Sequence, residues 1–313
     1  MDNTYISLKI IPLSPFATKP SSDSFFGQIC YMLFLNGYNL DDILCDYENN
    51  PFLVVSDFFP MGHITAPPMP LKPSGEINVF NLAKRKTLKK KNQLNIEELL
   101  KNQQLIINEN GLINETVEDT NSIIHTNYIT RASINRELGS TTKGKTASYS
   151  SIEYEYSAKN SEFYFQVYIY VKPEHEDKVI QAIKDIGKAG YGKKASIGRG
   201  YYEVKVENSV TINTEGCNGI LFLSNTVISS FNKYCEKIYY TPVTRYGKHG
   251  LLTSSHHPFK KPFVMALNGA LAFNIADDIF IKPYIGMAVT DISHNKNTKT
   301  QGYGLYLPLK IKE

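Results

Sequence analysis

The chain opens on apolar positions at Tyr5, Leu8, Ile10 and Leu13, which predict a strand, and Pro12, Pro15 and Pro20 then break it. In SSDSFFGQICYMLFLNG, Ser22 or Asp23 can cap a helix. Its apolar residues Phe25, Phe26, Ile29, Met32, Leu33 and Leu35 cover a broad face, and Gly37 ends it. A short apolar run at 52–55 predicts a strand, and the proline-rich passage 60–73 can only be loop or extended edge. The clearest signal is FYFQVYIYV at 163–171, β-branched and aromatic as a central strand should be, with Pro173 closing it. Over 174–187, Val179, Ile180, Ile183 and Ile186 recur at helical intervals, with acids in the first turn. The loop GKAGYGKKASIGRG follows at 187–200, and YYEVKV at 201–206 returns as a strand.

Strand, helix, glycine loop and strand make half of a ferredoxin-like or RRM-like unit. From about residue 208 the pattern restarts with GILFLS, KIYYTPV, KKPFVMALNGALAF, IKPYIGMAVTDI and YGLYLPLKI. The expected fold class is therefore α+β: two ferredoxin-like (RRM-like) domains with antiparallel sheets, at 1–207 and 208–313, the second one smaller. Two stretches of the first domain do not fit its pattern. Residues 84–121 mix a basic run with NQLNIEELLKNQQ, a short predicted helix, and an acidic, asparagine-rich tail, and read as an insertion. Residues 126–156 are polar and rich in Ser, Thr and Lys, and read as a protruding β-hairpin or long loop.

Composition narrows the class. The 313 residues suit two domains with sizeable cores, and 42% hydrophobic with 20% charged residues is the balance of a folded globular protein. The net charge is +4, yet six of the 34 Lys and Arg sit in KRKTLKKK at 84–91, leaving 28 against 30 acids elsewhere. Basicity is local. The four cysteines, Cys30, Cys45, Cys217 and Cys235, show no CxxC spacing and fit reduced thiols rather than disulfides or a zinc site. An opening with Asp2 and strand-like alternation lacks the pattern of a signal peptide, and no apolar run reaches membrane-spanning length, so a cytoplasmic location with no membrane partner is expected.

Residues 187–200 hold five glycines and four basic residues, Lys188, Lys193, Lys194 and Arg199, with no acid. Glycines let backbone N–H groups approach a phosphate, and lysine and arginine supply the charge that dominates nucleic-acid affinity; the plainer reading is a flexible connection with solvated lysines. The spacing of Gly187, Gly192 and Lys193 comes close to a P-loop, but here the loop follows a helix and opens a strand, the wrong order for one. RASINRELGSTTKGK at 131–145 carries Arg131, Arg136, Lys143 and Lys145 against Glu137, interleaved with Ser133 and Asn135, and suits phosphate and 2′-hydroxyl contacts or an ordinary polar loop alike. None of the seven histidines forms a ligand set, so neither metal nor cofactor is expected. His63, beside Gly62, is a candidate acid or base for RNA cleavage that still requires a positioned partner, while Asp23 and Asp57 read as caps or turn formers.

The order of these segments carries a resemblance. SSDSFFGQIC at 21–30, LVVSDFFP at 53–60, RASINRELGS at 131–140, GYGKKASIGRGYYEV at 190–204 and KKPFVMALNGALAF at 260–273 are similar to the motifs of one family. This is the fourth subunit of the Csm complex, the type III-A CRISPR effector, a Cas5-like group within the RAMP superfamily. The resemblance implies a non-catalytic subunit that holds the 5′ repeat-derived tag of CRISPR RNA and caps the backbone filament beside an adjacent backbone RAMP subunit. It also implies contact with the large palm-domain subunit, and a thumb hairpin at 126–156. Taken together, the residues and the resemblance give Ser24, Arg131, Ser133, Asn135, Arg136, Lys143, Lys193, Lys194, Ser196 and Arg199 as RNA-binding candidates, with His63, Arg245 and Lys248 as weaker ones. The alternatives are a metal-independent RAMP endoribonuclease acting through His63, and a scaffold whose RNA contacts are incidental.

Overall fold

The computed structural model describes residues 3–70, 92–107, 113–114, 116–117, 122–141, 148–229, 231–249 and 258–312. The basic run 84–91, Lys143 and Lys145 fall outside them.

The first sheet is built in the order strand Asn3–Pro12, helix Ser22–Leu35, strand Leu53–Val55, strand Phe165–Val171, helix Glu176–Ala189 and strand Tyr202–Val206. In space, Tyr202–Val206 lies beside Asn3–Pro12, then Phe165–Val171, then Leu53–Val55, every pair antiparallel. This is one complete β-α-β-β-α-β unit. Phe165–Val171, the apolar run of the sequence, sits in the middle and is buried at all but its last two positions. The helix Glu176–Ala189 turns Val179, Ala182, Ile183 and Ile186 onto the core, as the spacing requires.

The second sheet repeats the strand order, without α-helices among the described residues. Gly219–Phe222 is flanked by Tyr306–Lys312 on one side and by Leu271–Ile275, then Cys235–Tyr239, on the other. Where a ferredoxin-like repeat would carry its α-helices, the connections carry 3-10 turns, Phe231–Lys233 and Asp277–Ile281. The segment SNTVISSFNKY shows why: Ser, Asn and Thr compete for backbone hydrogen bonds in turns and caps, and β-branched residues weaken a helix further. Part of the segment read as an insertion completes this sheet, since Gln104–Ile106 pairs in parallel with Tyr306–Lys312. Before it, Asn95 caps a short helix, Ile96–Asn102, by accepting the Glu98 amide at 3.2 Å.

Both sheets share one core, in which Leu8, Val167 and Ile169 of the first are continuous with Leu221, Leu271 and Leu307 of the second. A buried polar seam fixes their register. The Gln301 side chain donates to the Val55 carbonyl at 2.8 Å and accepts the Val55 amide at 2.9 Å, and the Ser224 hydroxyl donates to the same carbonyl at 2.9 Å. At its end lies Asp57, whose carboxylate accepts the Ser22 amide and the Asn268 side-chain amide. The first helix is thus capped by a carboxylate from across the fold, not by Ser22 or Asp23; Ser21, its N-cap residue, makes no side-chain cap bond.

Burial pushes the Asp57 carboxyl up to about 6, although the Ser22 amide pulls the other way. The folded state therefore holds a proton that the unfolded chain releases earlier, and the stability from this group falls as pH rises from about 4 to about 6. Asp57→Asn keeps an acceptor for Ser22 and does not titrate. Between acid and neutral pH its unfolding free energy gains about 2–3 kcal/mol relative to the wild type, measurable by urea denaturation at a series of pH values.

Candidate nucleic-acid interface

Ser122–Ala132 pairs with Ser148–Ala158 as the two arms of a long antiparallel hairpin, spanning on the order of 35 Å. Its base is rooted in the first sheet: Phe16 and Tyr154 exchange backbone hydrogen bonds of 2.8 Å, and the Tyr156 ring packs against Phe16, Phe163 and Phe165. Strand alternation sends Tyr156 and Glu153 to opposite faces. In register, Arg131 pairs with Tyr149, Ile129 with Ser151 and Asn127 with Glu153, so these residues share the face turned to the glycine loop.

Glu153 is the centre of that face, with a side chain only 1% exposed. Its two carboxylate oxygens accept from Arg131 of the hairpin at 2.7 Å and from Arg199 of the loop at 2.5 Å. Burial alone would raise its carboxyl, but the two guanidiniums hold it below the ordinary glutamate value. Lys194 adds a third cation. Its ammonium is buried with no hydrogen-bond partner among the described residues. Desolvation first, then repulsion from Arg131 and Arg199, keep it below the ordinary lysine value. Two arginines thus pair with one carboxylate while a third cation stands near it without a partner, and each arginine retains donors that Glu153 does not use. The arrangement suits an anion.

The loop itself differs from the sequence expectation. Gly187 lies inside the helix Glu176–Ala189, pressed against Tyr202, and the turn begins at Gly190. Most of its N–H groups are committed within the protein: Tyr191 to the Gly200 carbonyl, Gly200 to that of Pro15, Lys193 to the Thr18 hydroxyl, and Arg199 to the Lys194 carbonyl. Gly200 has a φ of +77°, and a Cβ there would lie 2.2 Å from the Tyr191 oxygen. The glycines therefore serve close packing, and the loop offers an anion its side chains rather than a nest of amides. Lys193 and Ser196 are exposed beside the cluster. As read from sequence, the loop follows a helix and precedes a strand.

The other candidates fall elsewhere. Arg245 grips both carboxylate oxygens of Asp23 at 2.7 and 2.8 Å and also donates to Ser21 and Ser24. Ser24 and Arg245 are thereby brought together, but as a staple between the first helix and the strand Pro242–Arg245; Arg245 is not a free cation. At the hairpin tip, Asn135 accepts the Glu137 and Leu138 amides at 2.9 and 3.3 Å, a turn-forming role, while Arg136 is exposed and Ser133 half-buried. Lys248 is exposed, its ammonium 5.7 Å from the Phe259 ring centre. His63 sits on the short strand His63–Thr65, its Nδ1 buried without a partner, and no acid or base among the described residues is joined to it. No group of three or more metal-binding side chains occurs among the described residues, and no helix there is long and apolar enough to cross a membrane. Glu153 was missed because its role depends on hairpin register; the alternation of YSSIE at 149–153 held the signal that it shares a face with Tyr149, but not that Arg131 lies opposite.

No family model and no curated protein matches the chain. Among solved structures, a chain of the Csm3–Csm4 subcomplex in the type III-A CRISPR-Cas interference complex is similar over 97% of this chain and 99% of its own, with a TM-score of 0.58 and 16% identity. Chains of the Csm1–Csm4 cassette in complex with cA4 and with AMPPNP are similar over 99% of both chains, at TM-scores of 0.53 and 0.51 and identities of 14% and 17%. Csm4 is the subunit common to these assemblies. Over nearly its whole length, therefore, this chain has the fold of the type III-A Csm effector subunits.

Proposed function

We propose that the chain is the Csm4-type subunit of a type III-A CRISPR RNA-guided effector, a non-catalytic cytoplasmic protein that holds the 5′ repeat-derived tag of the CRISPR RNA. In this reading the two halves, 1–207 and 208–313, are a complete RAMP domain and a reduced one. The subunit caps the backbone filament, with an adjacent backbone RAMP subunit on one side and the large palm-domain subunit on the other. The solved assemblies of similar fold, which pair Csm4 with Csm3 or Csm1, support those partners.

The observation that carries the RNA reading is the pair Arg131 and Arg199 on the single carboxylate of Glu153, with the unpartnered Lys194 ammonium close enough to feel all three charges. A phosphate oxygen supplies the acceptor that the Lys194 ammonium lacks and relieves the repulsion among the three cations. Both arginines are already held by Glu153, so little ordering is needed when RNA arrives. Such contacts fix the path of the backbone and carry no base sequence. The hairpin is the natural thumb, since its two strands supply Arg131 and Glu153.

Lys194→Ala removes one cation and leaves both Glu153 ion pairs intact. It is expected to weaken single-stranded RNA binding about tenfold and to lower the slope of log affinity against log salt by about 0.7, read by fluorescence anisotropy over a potassium chloride series. Unchanged affinity and slope contradict the assignment. Incubation with repeat-containing RNA tests the non-catalytic reading: the RNA stays intact, and His63→Ala behaves as the wild type. Site-specific cleavage abolished by His63→Ala instead establishes the endoribonuclease alternative.

A further inference from the structure

Beside the three cations stands an aromatic side chain that belongs to neither hydrophobic core. Tyr149 is directly opposite Arg131 in the hairpin, on the face that carries Glu153, and it is 51% exposed. Its hydroxyl makes no hydrogen bond among the described residues, and it takes no part in the aromatic cluster that roots the hairpin through Tyr156. The Lys194 ammonium lies 6.0 Å from its ring centre. An open aromatic ring at this distance from a cation cluster matches the two parts of a nucleotide, a flat base and a charged phosphate.

We infer that Tyr149 is the base platform of this site, stacking on the nucleobase next to the phosphate held by Arg131, Lys194 and Arg199. The inference rests on the phosphate reading of the Glu153 cluster. Every base offers a π face, so such a platform adds affinity with little sequence preference. Lys194 beside the ring adds cation–π attraction, which holds the ring where the base is to stack. The ligand is thus a single-stranded RNA segment, gripped at once by backbone and by base.

The test uses the full chain and two labelled probes, a short oligoadenylate and an abasic ribose-phosphate strand of equal length. Tyr149→Ala should weaken oligoadenylate binding roughly tenfold and leave the abasic strand unchanged, and Tyr149→Phe should retain wild-type affinity for both. If Tyr149→Ala binds both probes as the wild type does, or loses both equally, Tyr149 is no base platform. Lys194→Ala separates the two readings. Should it fail to weaken the abasic strand, the phosphate site itself is wrong. Should it weaken that strand while Tyr149→Ala leaves oligoadenylate untouched, only the stacking role falls.

Discussion

A carboxylate buried to within 1% of its surface must be paired, and Glu153 is paired twice. One partner, Arg131, comes from its own hairpin and the other, Arg199, from the loop that closes the first β-α-β-β-α-β unit. This shared acid joins the long hairpin to the basic glycine loop. Without it, Arg131, Lys194 and Arg199 would repel one another; with it, they are held together and still carry positive charge in excess. The same logic, a buried acid from one segment holding groups of another, recurs at Asp57, which caps the first helix and binds Asn268 of the second half.

The two halves do not behave as independent beads. Their sheets have one strand order, share a core and meet along a seam where Gln301 and Ser224 satisfy the backbone of Leu53–Val55. Arg245 adds a charged staple to the same junction. The junction is thus held by polar and charged contacts as well as by the shared core.

Elements whose identity depends on local pattern could be read in the sequence. The apolar run 163–171, the helical spacing of Val179, Ile183 and Ile186, and the turn-rich 187–200 segment all announce their structure. What depends on contacts between distant segments could not. The missing helices of the second half follow from weak propensity, but the edge strand Gln104–Ile106 pairs across some 200 residues of sequence. The glycines at 190, 192 and 200 were read as making room for phosphate, and instead make room for Arg199, Thr18 and Tyr191 in that order. Arg131, Lys194 and Arg199 could be listed as basic residues, yet only hairpin register and the unexpected acid at Glu153 bring them to one point. Arg245 shows the converse, a basic residue already committed to Asp23.

The most direct measurement is a structure of the full chain with an RNA carrying the 5′ repeat-derived tag. The account predicts an RNA phosphate within hydrogen-bonding distance of the Lys194 ammonium, flanked by Arg131 and Arg199, with both Glu153 ion pairs preserved. RNA running instead over His63 or Lys248, with the Lys194 ammonium left unpaired, would contradict it.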